Sequence, residues 1–211
     1  MKNLVLLTQG SQAIQLVRTL FGLGYRPNQL TIYTIDAHKN NCFIEFLKYY
    51  NIKYYTQIEN QNWVDKLVIS FGNLNKIKIN KNTTYINFHP GLLPSYKGSL
   101  STVYSMLNNE EYVGGTWHYM TDKIDAGNVL HQFKIKILEQ DTAFSLNHKI
   151  FQQSLDCLQL VLNKIKCNDL GKVQSGNGKF YLNKFPDLSS LDRETQRRIN
   201  YFPPNFEGDQ L

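Results

Sequence analysis

The chain has 211 residues, of which 42% are hydrophobic and 13% aromatic, enough for one sizeable domain with a small appendage. No apolar run approaches the length of a membrane-spanning helix, and the apolar start at residues 4–7 is too short for a secretory signal. We therefore expect no membrane insertion and no leader. The formal net charge of +6 favours anionic ligands such as phosphates, although many soluble domains carry a similar charge.

Short apolar runs alternate with helix-period segments in the first part of the chain. Residues 4–7 predict a buried strand, and the apolar spacing after Gly10 predicts a helix. This alternation predicts an α/β fold with a Rossmann-like, mostly parallel sheet flanked by helices. The further elements predicted in this part are strands at residues 30–35, 52–55, 67–70 and 85–88 and a helix at residues 43–50.

The pattern changes after Gly114. Residues 115–120 and 129–137 predict two longer strands on either side of an Asp125-Ala126-Gly127 turn. One long helix is predicted at residues 142–166, with Thr142 as its N-cap and an apolar stripe that packs on the sheet.

The C-terminal part carries a hairpin signal. Ser175-Gly176-Asn177-Gly178 predicts a turn that pairs residues 172–174 with residues 179–182, and a short polar helix is predicted at residues 191–200. We therefore expect two parts, a main domain at residues 1–167 and a small C-terminal β-hairpin/helix appendage at residues 168–211.

The cysteines argue against a metal or disulfide framework. Cys42, Cys157 and Cys167 are few, odd in number and without CxxC spacing, and the five histidines include no HxxxH pair. This usage predicts reduced thiols, a cytoplasmic setting and no metal cofactor.

A dinucleotide site after the first strand is not favoured, because Gln9-Gly10-Ser11-Gln12-Ala13 lacks the GxGxxG pattern. One glycine at a strand–helix turn usually reflects turn geometry. The start of the helix is still suited to a phosphate or a sugar group, which makes Gly10 a candidate substrate-binding residue.

Three polar residues suggest chemistry on an acyl group. Asn87 and His89 are two residues apart at the end of a predicted strand, so their side chains point to the same face. Asp125 adds a carboxylate in a turn. An amide donor, a base and an acid are what acyl transfer to a nucleophile requires. Each residue alone is more often a turn, cap or satisfied polar side chain.

The surrounding motifs strengthen this interpretation. Asn87-Phe88-His89-Pro90-Gly91-Leu92-Leu93-Pro94, then Gly114-Gly115-Thr116-Trp117-His118, then Asp125-Ala126-Gly127 resemble the 10-formyltetrahydrofolate-dependent formyltransferases. The resemblance covers residues 68–132 well and the flanks more loosely. It implies that the main domain is catalytic and transfers a formyl group to an amine, with 10-formyltetrahydrofolate as co-substrate.

The resemblance also implies residue roles. Asn87 would stabilise the oxyanion of the tetrahedral intermediate, and His89 would accept the amine proton with Asp125 orienting the imidazole or relaying the proton. Which of the last two takes the proton is left open. The implied folate-binding residues are Phe71, Gly72, Asn73, Leu74, Leu93, Thr121, Asp122 and Ile124. The implied acceptor-side residues are Gly10, Lys97, Tyr104 and His118.

Two of these positions depart from the family pattern. Lys97 stands where the family often has Arg, which keeps the charge but loses the planar guanidinium. Thr102-Val103-Tyr104 stands near where the family tends to have Pro and Trp, so the resemblance leaves the acceptor contacts there open.

The tail favours one branch of the family. Phe180-Tyr181-Leu182-Asn183-Lys184-Phe185-Pro186, followed by Leu191-Asp192 and a Pro203-Pro204 pair, resembles the sugar-nucleotide N-formyltransferases. That branch implies a nucleotide-linked amino sugar as acceptor, such as dTDP-4-amino-4,6-dideoxyglucose, used for surface polysaccharide such as the lipopolysaccharide O-antigen. It also implies a homodimer formed through the C-terminal hairpin.

Other acceptors and another class stay open. The opening Thr8-Gln9-Gly10-Ser11-Gln12 fits the glycinamide ribonucleotide formyltransferases poorly, and the segment after the long helix is short for the tRNA-binding domain of a methionyl-tRNA formyltransferase. A non-catalytic α/β module that binds nucleotides or RNA is the alternative of a different class. No basic helix or aromatic-basic repeat supports it, so we expect no nucleic-acid partner.

Overall fold

The structure is a computed structural model that describes residues 3–34, 41–58, 63–72, 77–176, 178–182 and 184–200. Its strands are β1 Leu4–Thr8, β2 Leu30–Tyr33, β3 Lys53–Tyr55, β4 Leu67–Phe71, β5 Thr84–His89, β6 Tyr96–Gly98, β7 Tyr112–Tyr119, β8 Val129–Lys136 and β9 Lys179–Tyr181. Its helices are α1 Gly10–Gly22, α2 Asn41–Tyr49, α3 Ser101–Leu107, α4 Ala143–Asp156, α5 Leu158–Lys166 and α6 Arg193–Asn200, with a 3₁₀ turn at Pro27–Gln29.

A seven-stranded sheet of order β3-β2-β1-β4-β5-β7-β8 forms the centre of the fold. The first five strands in this order are parallel, while β7 is antiparallel to both β5 and β8. Every residue of β1 and β4 is buried, as expected for parallel strands covered on both faces. The α/β fold with a mostly parallel sheet is confirmed.

The strand order reverses between β1 and β4. In open α/β sheets, ligands bind in the crevice beyond the carboxyl ends of the strands at such a reversal. Gly10 follows β1 and Gly72 follows β4, both with positive φ angles, of 72° and 69°. The antiparallel β7 extends this edge of the sheet, because it brings its own residues back beside the end of β5.

The sheet separates two apolar clusters. One contains inward-facing residues of α1, α4 and α5, such as Leu16, Ile150 and Leu158, packed on the buried strands. The other, on the opposite face, groups Trp63 and Tyr85 with residues of β1, β2 and β4. Burial on both faces holds the carboxyl ends of β4 and β5 rigidly, and the candidate site is built on these ends.

The predicted long helix at residues 142–166 is wrong in one respect, because it is two helices. Thr142 is the N-cap, and its hydroxyl accepts from the Ser145 N–H while the Ser145 hydroxyl accepts from the Thr142 N–H. The helix is interrupted at Cys157, where ψ is −8°. The apolar stripe continues across the break, so periodicity alone did not reveal it.

The predicted C-terminal hairpin is also wrong. Lys172 exchanges two main-chain hydrogen bonds of 2.8 Å with Val129, extending the edge of the main sheet. Strand β9 pairs in parallel with β6. Local turn residues predicted a pairing between neighbours in sequence, but both segments found partners far away along the chain. The division at residue 167 stays a prediction, and residues 201–211 lie outside the described residues.

Candidate active site

The end of strand β5 positions the amide and the imidazole of the predicted site. Asn87 lies opposite His118 in the antiparallel register with β7, and His89 lies opposite Thr116. The Asn87 Nδ2 atom is 3.2 Å from His118 Nε2. The strand pairing therefore brings two motifs of the sequence into direct contact.

The hydrogen bonds of His118 define its tautomer. Its Nδ1 atom is 2.8 Å from the Tyr119 carbonyl oxygen, which only accepts, so Nδ1 carries the hydrogen. In the neutral ring Nε2 is then an acceptor, and the Asn87 amide donates to it. His118 thereby orients the Asn87 carboxamide and leaves one of its N–H groups for another acceptor.

Asp125 connects the two histidines. One carboxylate oxygen, Oδ2, lies 3.5 Å from His89 Nδ1, and the other, Oδ1, lies 3.5 Å from His118 Nε2. The Gly98 main-chain N–H donates to Oδ2 over 2.8 Å. Asp125 is 9% exposed, so the carboxylate is enclosed by these partners. The structure thus brings Asn87, His89 and Asp125 into one cluster.

The main-chain conformation of the loop between β7 and β8 positions the Asp125 carboxylate. Asp125 has a φ of 51°, in the left-handed region that Asp tolerates better than most residues. At Gly127 an added Cβ would collide with the Tyr119 carbonyl oxygen, so only glycine fits. Gln174 donates from Nε2 to the main-chain oxygens of both Asp125 and Gly127, at 2.9 and 2.8 Å.

Main-chain contacts orient the imidazole of His89. Its Nε2 atom is 2.5 Å from the Tyr96 carbonyl oxygen, so Nε2 carries the hydrogen in the neutral ring. The Ser101 hydroxyl lies 3.3 Å from the same nitrogen. The unprotonated Nδ1 consequently faces Asp125. An added Cβ at Gly91 would lie 2.5 Å from His89 Nε2, so a glycine is required beside the ring.

Burial decides the charge of this pair. His89 is 4% exposed, and desolvation lowers its pKa below 6.5 although Asp125 and the Tyr96 carbonyl act to raise it. For Asp125, burial acts to raise the pKa, but the nearby His118, the charge that His89 carries in acid and the Gly98 N–H together lower it below 3.8. The His89 charge helps only in acid. Near neutral pH the cluster therefore holds a neutral imidazole beside a carboxylate.

Several supporting residues were missed in the sequence. The Thr116 hydroxyl donates to the Gly91 carbonyl over 2.7 Å, and Gln132 Nε2 donates to Thr116 Oγ1 and to the Leu93 carbonyl, each over 2.9 Å. These bonds fix the loop that follows His89. The Thr of the Gly-x-Thr-x-His motif was a signal for Thr116, whereas no local pattern marked Gln132, Tyr96 or Gly98.

The predicted folate-binding residues that the structure describes follow strands β4, β5 and β7 or end β4. The Phe71 ring is fully buried against Phe88 and Trp117, which leaves only its main chain for a ligand. Leu93 is 5% exposed, and Ile124, next to Asp125, is 55% exposed. Thr121 and Asp122 lie exposed in the same loop, and Asn73 and Leu74 lie outside the described residues. The folate roles stay predictions.

The predicted acceptor residues are spread more widely. Gly10 begins α1 at the carboxyl end of β1, and His118 is part of the cluster. Lys97 is the central residue of β6. Tyr104 stacks on Tyr181 at a ring distance of 4.2 Å and donates its hydroxyl to the Lys184 carbonyl, so its side chain holds the C-terminal segment. A substrate role for these residues stays a prediction.

A groove of about 640 Å³ lies beside the cluster without reaching its catalytic groups. It shares Leu93, Gln132 and Gln174 with the surroundings of the site and is otherwise lined mainly by the start of β8 and by residues 171–175. Hydrogen-bond geometry, rather than cavity volume, therefore locates the candidate site.

Among the described residues no group of three or more His, Cys, Asp or Glu side chains could hold a metal ion. Nor does that part of the chain include a helix long and apolar enough to cross a bilayer.

An α/β sheet that carries an amide, a neutral imidazole and a carboxylate on its carboxyl edge is arranged for group transfer to a nucleophile. Comparison with known proteins indicates which chemical group is transferred. Residues 76–162 match the formyl transferase family model. A GDP-perosamine N-formyltransferase from Brucella melitensis is 29% identical over 209 residues, covering 89% of this chain and 80% of that protein.

Solved structures share the fold. An N-formyltransferase from Helicobacter canadensis, in complex with folinic acid and dTDP-3-aminofucose, has a TM-score of 0.80 at 20% identity and covers 94% of this chain and 80% of its own. A 4-N formyltransferase from Francisella tularensis has a TM-score of 0.79 at 19% identity, covering 96% and 89%. Residues 76–162 are therefore similar to formyl transferases, and the chain is an enzyme that transfers formyl groups.

Proposed function

We propose that this enzyme transfers the formyl group of 10-formyltetrahydrofolate to the amine of a nucleotide-linked amino sugar. The observation that carries the proposal is the convergence of Asn87, His89 and Asp125, with Asp125 3.5 Å from the imidazoles of both His89 and His118. The folinic acid bound by the Helicobacter canadensis relative supports a folate donor.

The amine attacks the formyl carbon, and the carbonyl oxygen becomes an oxyanion. The Asn87 N–H that His118 does not use is the donor for this oxyanion. Removing one such donor typically lowers the rate about 10²- to 10³-fold. The hydrogen bond to His118 holds the carboxamide in one orientation before the charge develops, so no reorganisation is needed during the reaction.

The attacking amine must also lose a proton. His89 Nε2 is occupied by the Tyr96 carbonyl, so Nδ1 is the only basic nitrogen of this ring. Nδ1 and Asp125 Oδ2 are two acceptors 3.5 Å apart, and a proton taken up between them converts the pair into an ion pair. The same proton then passes to the folate nitrogen as it leaves. In this proposal His89 and Asp125 act as one base.

For the acceptor, we propose dTDP-4-amino-4,6-dideoxyglucose or a close analogue, as a precursor of surface polysaccharide. The resemblance of the tail to sugar-nucleotide enzymes supports this class, and the net charge of +6 suits a pyrophosphate. The relatives differ in the nucleotide they are named for, GDP in one case and dTDP in the other. A homodimer stays a prediction that size-exclusion chromatography would test.

The test is a panel of acceptors. The protein is incubated with 10-formyltetrahydrofolate and dTDP- or GDP-linked 3-amino and 4-amino sugars, and both tetrahydrofolate release and the mass of the formylated sugar are followed. We expect one nucleotide sugar to be formylated far faster than free amino sugars. A folded protein that formylates none of them would overturn the proposal.

Substitutions then test the residue roles. Asn87→Ala, His89→Asn and Asp125→Asn should each lower kcat by about 10²-fold or more, because each removes a group that acts on the developing charge or the proton. His148→Asn is the matched control, since His148 is exposed on helix α4 and should leave kcat unchanged. Undiminished turnover in the three site variants would show that other residues perform the chemistry.

A further inference from the structure

We infer that Tyr181, in the C-terminal strand β9, is a positioning residue that acts on His89 and Asp125 through strand β6. The inference rests on the catalytic roles proposed above for these two side chains. Tyr181 itself touches neither of them; its effect is transmitted by the main chain of residues 96–98.

Strand β6 supplies one main-chain group to each side chain of the proposed base. The Tyr96 carbonyl oxygen is 2.5 Å from His89 Nε2, and the Gly98 N–H donates to Asp125 Oδ2 over 2.8 Å. Residues two apart in a strand direct their main-chain groups to the same edge. One edge of β6 therefore determines both the tautomer of the imidazole and the place of the carboxylate.

The opposite edge of β6 is paired with β9. The Ser99 N–H donates to the Tyr181 carbonyl over 3.0 Å, and the Lys179 N–H donates to the Ser95 carbonyl over 3.3 Å. At Gly98, where φ is 86°, an added Cβ would collide with the Tyr181 carbonyl oxygen. Strand β6 thus lies directly between β9 and the catalytic side chains, and a shift of β9 would move it.

The Tyr181 side chain holds this short pairing together. A two-stranded sheet is marginally stable by itself, and each strand here has only three residues. The Tyr181 ring, 7% exposed, stacks on Tyr96 with a centroid distance of 5.5 Å and on Tyr104 at 4.2 Å. Its hydroxyl accepts from Asn108 Nδ2 over 3.1 Å. The ring stack, more than this one hydrogen bond, fixes β9 against β6.

The kinetic test compares substitutions at this position. Tyr181→Ala removes the stack, and we expect kcat to fall about 10- to 100-fold with little change in KM for either substrate, since misplacement of about 1 Å can cost 10²-fold. Tyr181→Phe keeps the ring and should restore most of kcat. Leu182→Ala is the control, because Leu182 is the next residue and is 69% exposed.

A second readout does not need turnover. In protein labelled with ¹⁵N-histidine, NMR should show the His89 ring as the Nε2–H tautomer at neutral pH in the wild type, Tyr181→Phe and Leu182→Ala. In Tyr181→Ala the Nδ1–H tautomer should gain population, because the Tyr96 carbonyl moves. The His89 signal is assigned by its loss in His89→Asn. If Tyr181→Ala lacks a cooperative thermal transition, Tyr181→Leu, which stays apolar without a planar ring, replaces it.

The outcomes separate the two proposals. An unchanged His89 tautomer together with an unchanged kcat in the folded Tyr181 variant would overturn the positioning role. Equal losses of kcat in Tyr181→Ala and Tyr181→Phe would also overturn it, because the ring would then not matter. Failure of the proposed function would instead be seen as absent turnover in the wild type, while the tautomer measurement would still decide the role of Tyr181.

Discussion

At the residue scale, the site depends on a histidine kept neutral and a carboxylate kept charged. Burial lowers the pKa of His89, and the attraction of Asp125 does not compensate for the lost solvation. Burial acts to raise the pKa of Asp125, but the Gly98 N–H, the nearby His118 and, in acid, the charge of His89 lower it below its usual value, so the carboxylate stays ionised. A neutral imidazole beside a carboxylate can take up one proton, which is what the base proposed above requires.

This arrangement predicts a pH dependence of stability. Since the pKa of His89 lies below 6.5 in the native protein, the unfolded chain takes up its proton first as the pH falls. The free energy of unfolding should therefore decrease from about pH 6.5 downward, and His89→Asn should remove this part of the decrease. Urea unfolding of both proteins between about pH 5 and pH 8 measures the difference.

The pKa values of other groups are also lowered and also reduce stability in acid, so the contribution of His89 is obtained from the difference between the wild type and His89→Asn. The pKa of His131 is also lowered by burial and by Lys164, and both proteins retain that contribution. Asp125 adds a loss of stability only at more acid pH, below its usual 3.8. Parallel curves for wild type and His89→Asn would contradict a neutral, buried His89.

At the element scale, the loop after β5 is packed closely under the imidazole. Thr116 and Gln132 hold its main chain, and the space beside Gly91 is already occupied. An added Cβ there would lie 2.5 Å from His89 Nε2, 2.7 Å from Ser101 Oγ and 2.8 Å from the Tyr96 carbonyl. No real Cβ contact is this short, so the loop or the imidazole must move to accept a side chain.

Gly91→Ala should therefore damage both stability and activity. We expect a loss of about 1–3 kcal/mol in the free energy of unfolding from overpacking. We also expect kcat to fall about 10²-fold, because the imidazole is displaced. Gly22→Ala is the matched control, since an added Cβ at this helical position meets nothing within 4 Å. Urea unfolding and steady-state kinetics on both variants give the comparison, and equal behaviour of the two would argue against a close-packed loop.

At the scale of the whole molecule, the C-terminal segment contacts the rest of the chain at several places. Strand β9 pairs with β6, and helix α6 buries Ile199 against Val103 and Ala143. Arg198 donates from Nε to the Asp141 carbonyl over 2.8 Å and from Nη2 to the Leu138 carbonyl over 3.1 Å. The two carbonyl groups lie just before α4, which begins at Ala143.

The docking of α6 can be tested at Arg198. Arg198→Ala removes both hydrogen bonds, and we expect the free energy of unfolding to fall by about 1–2 kcal/mol. This expected loss is smaller than for buried hydrogen bonds of a charged group, because the Arg198 side chain is partly exposed to solvent. Cleavage by protease within residues 168–200 should become faster. Arg193→Ala, at an exposed position of the same helix, should change neither quantity. Equal effects of the two substitutions would refute a specific docking role for Arg198.

The sequence by itself determined the parallel sheet and the cap at Thr142, and its resemblance to the formyltransferases singled out Asn87, His89 and Asp125 as candidates. The sheet and the cap follow from short-range patterns, namely apolar runs that must be buried and a hydroxyl before a helix, whereas the three candidates follow from motifs that occur in the same order as in the family. Tertiary structure alone decided the partner of β9, the helix break at Cys157 and the tautomer of His89. The main-chain groups of a strand edge and a ring nitrogen form hydrogen bonds with the groups that lie next to them in the folded protein. Local sequence patterns do not specify these partners, because they are distant along the chain.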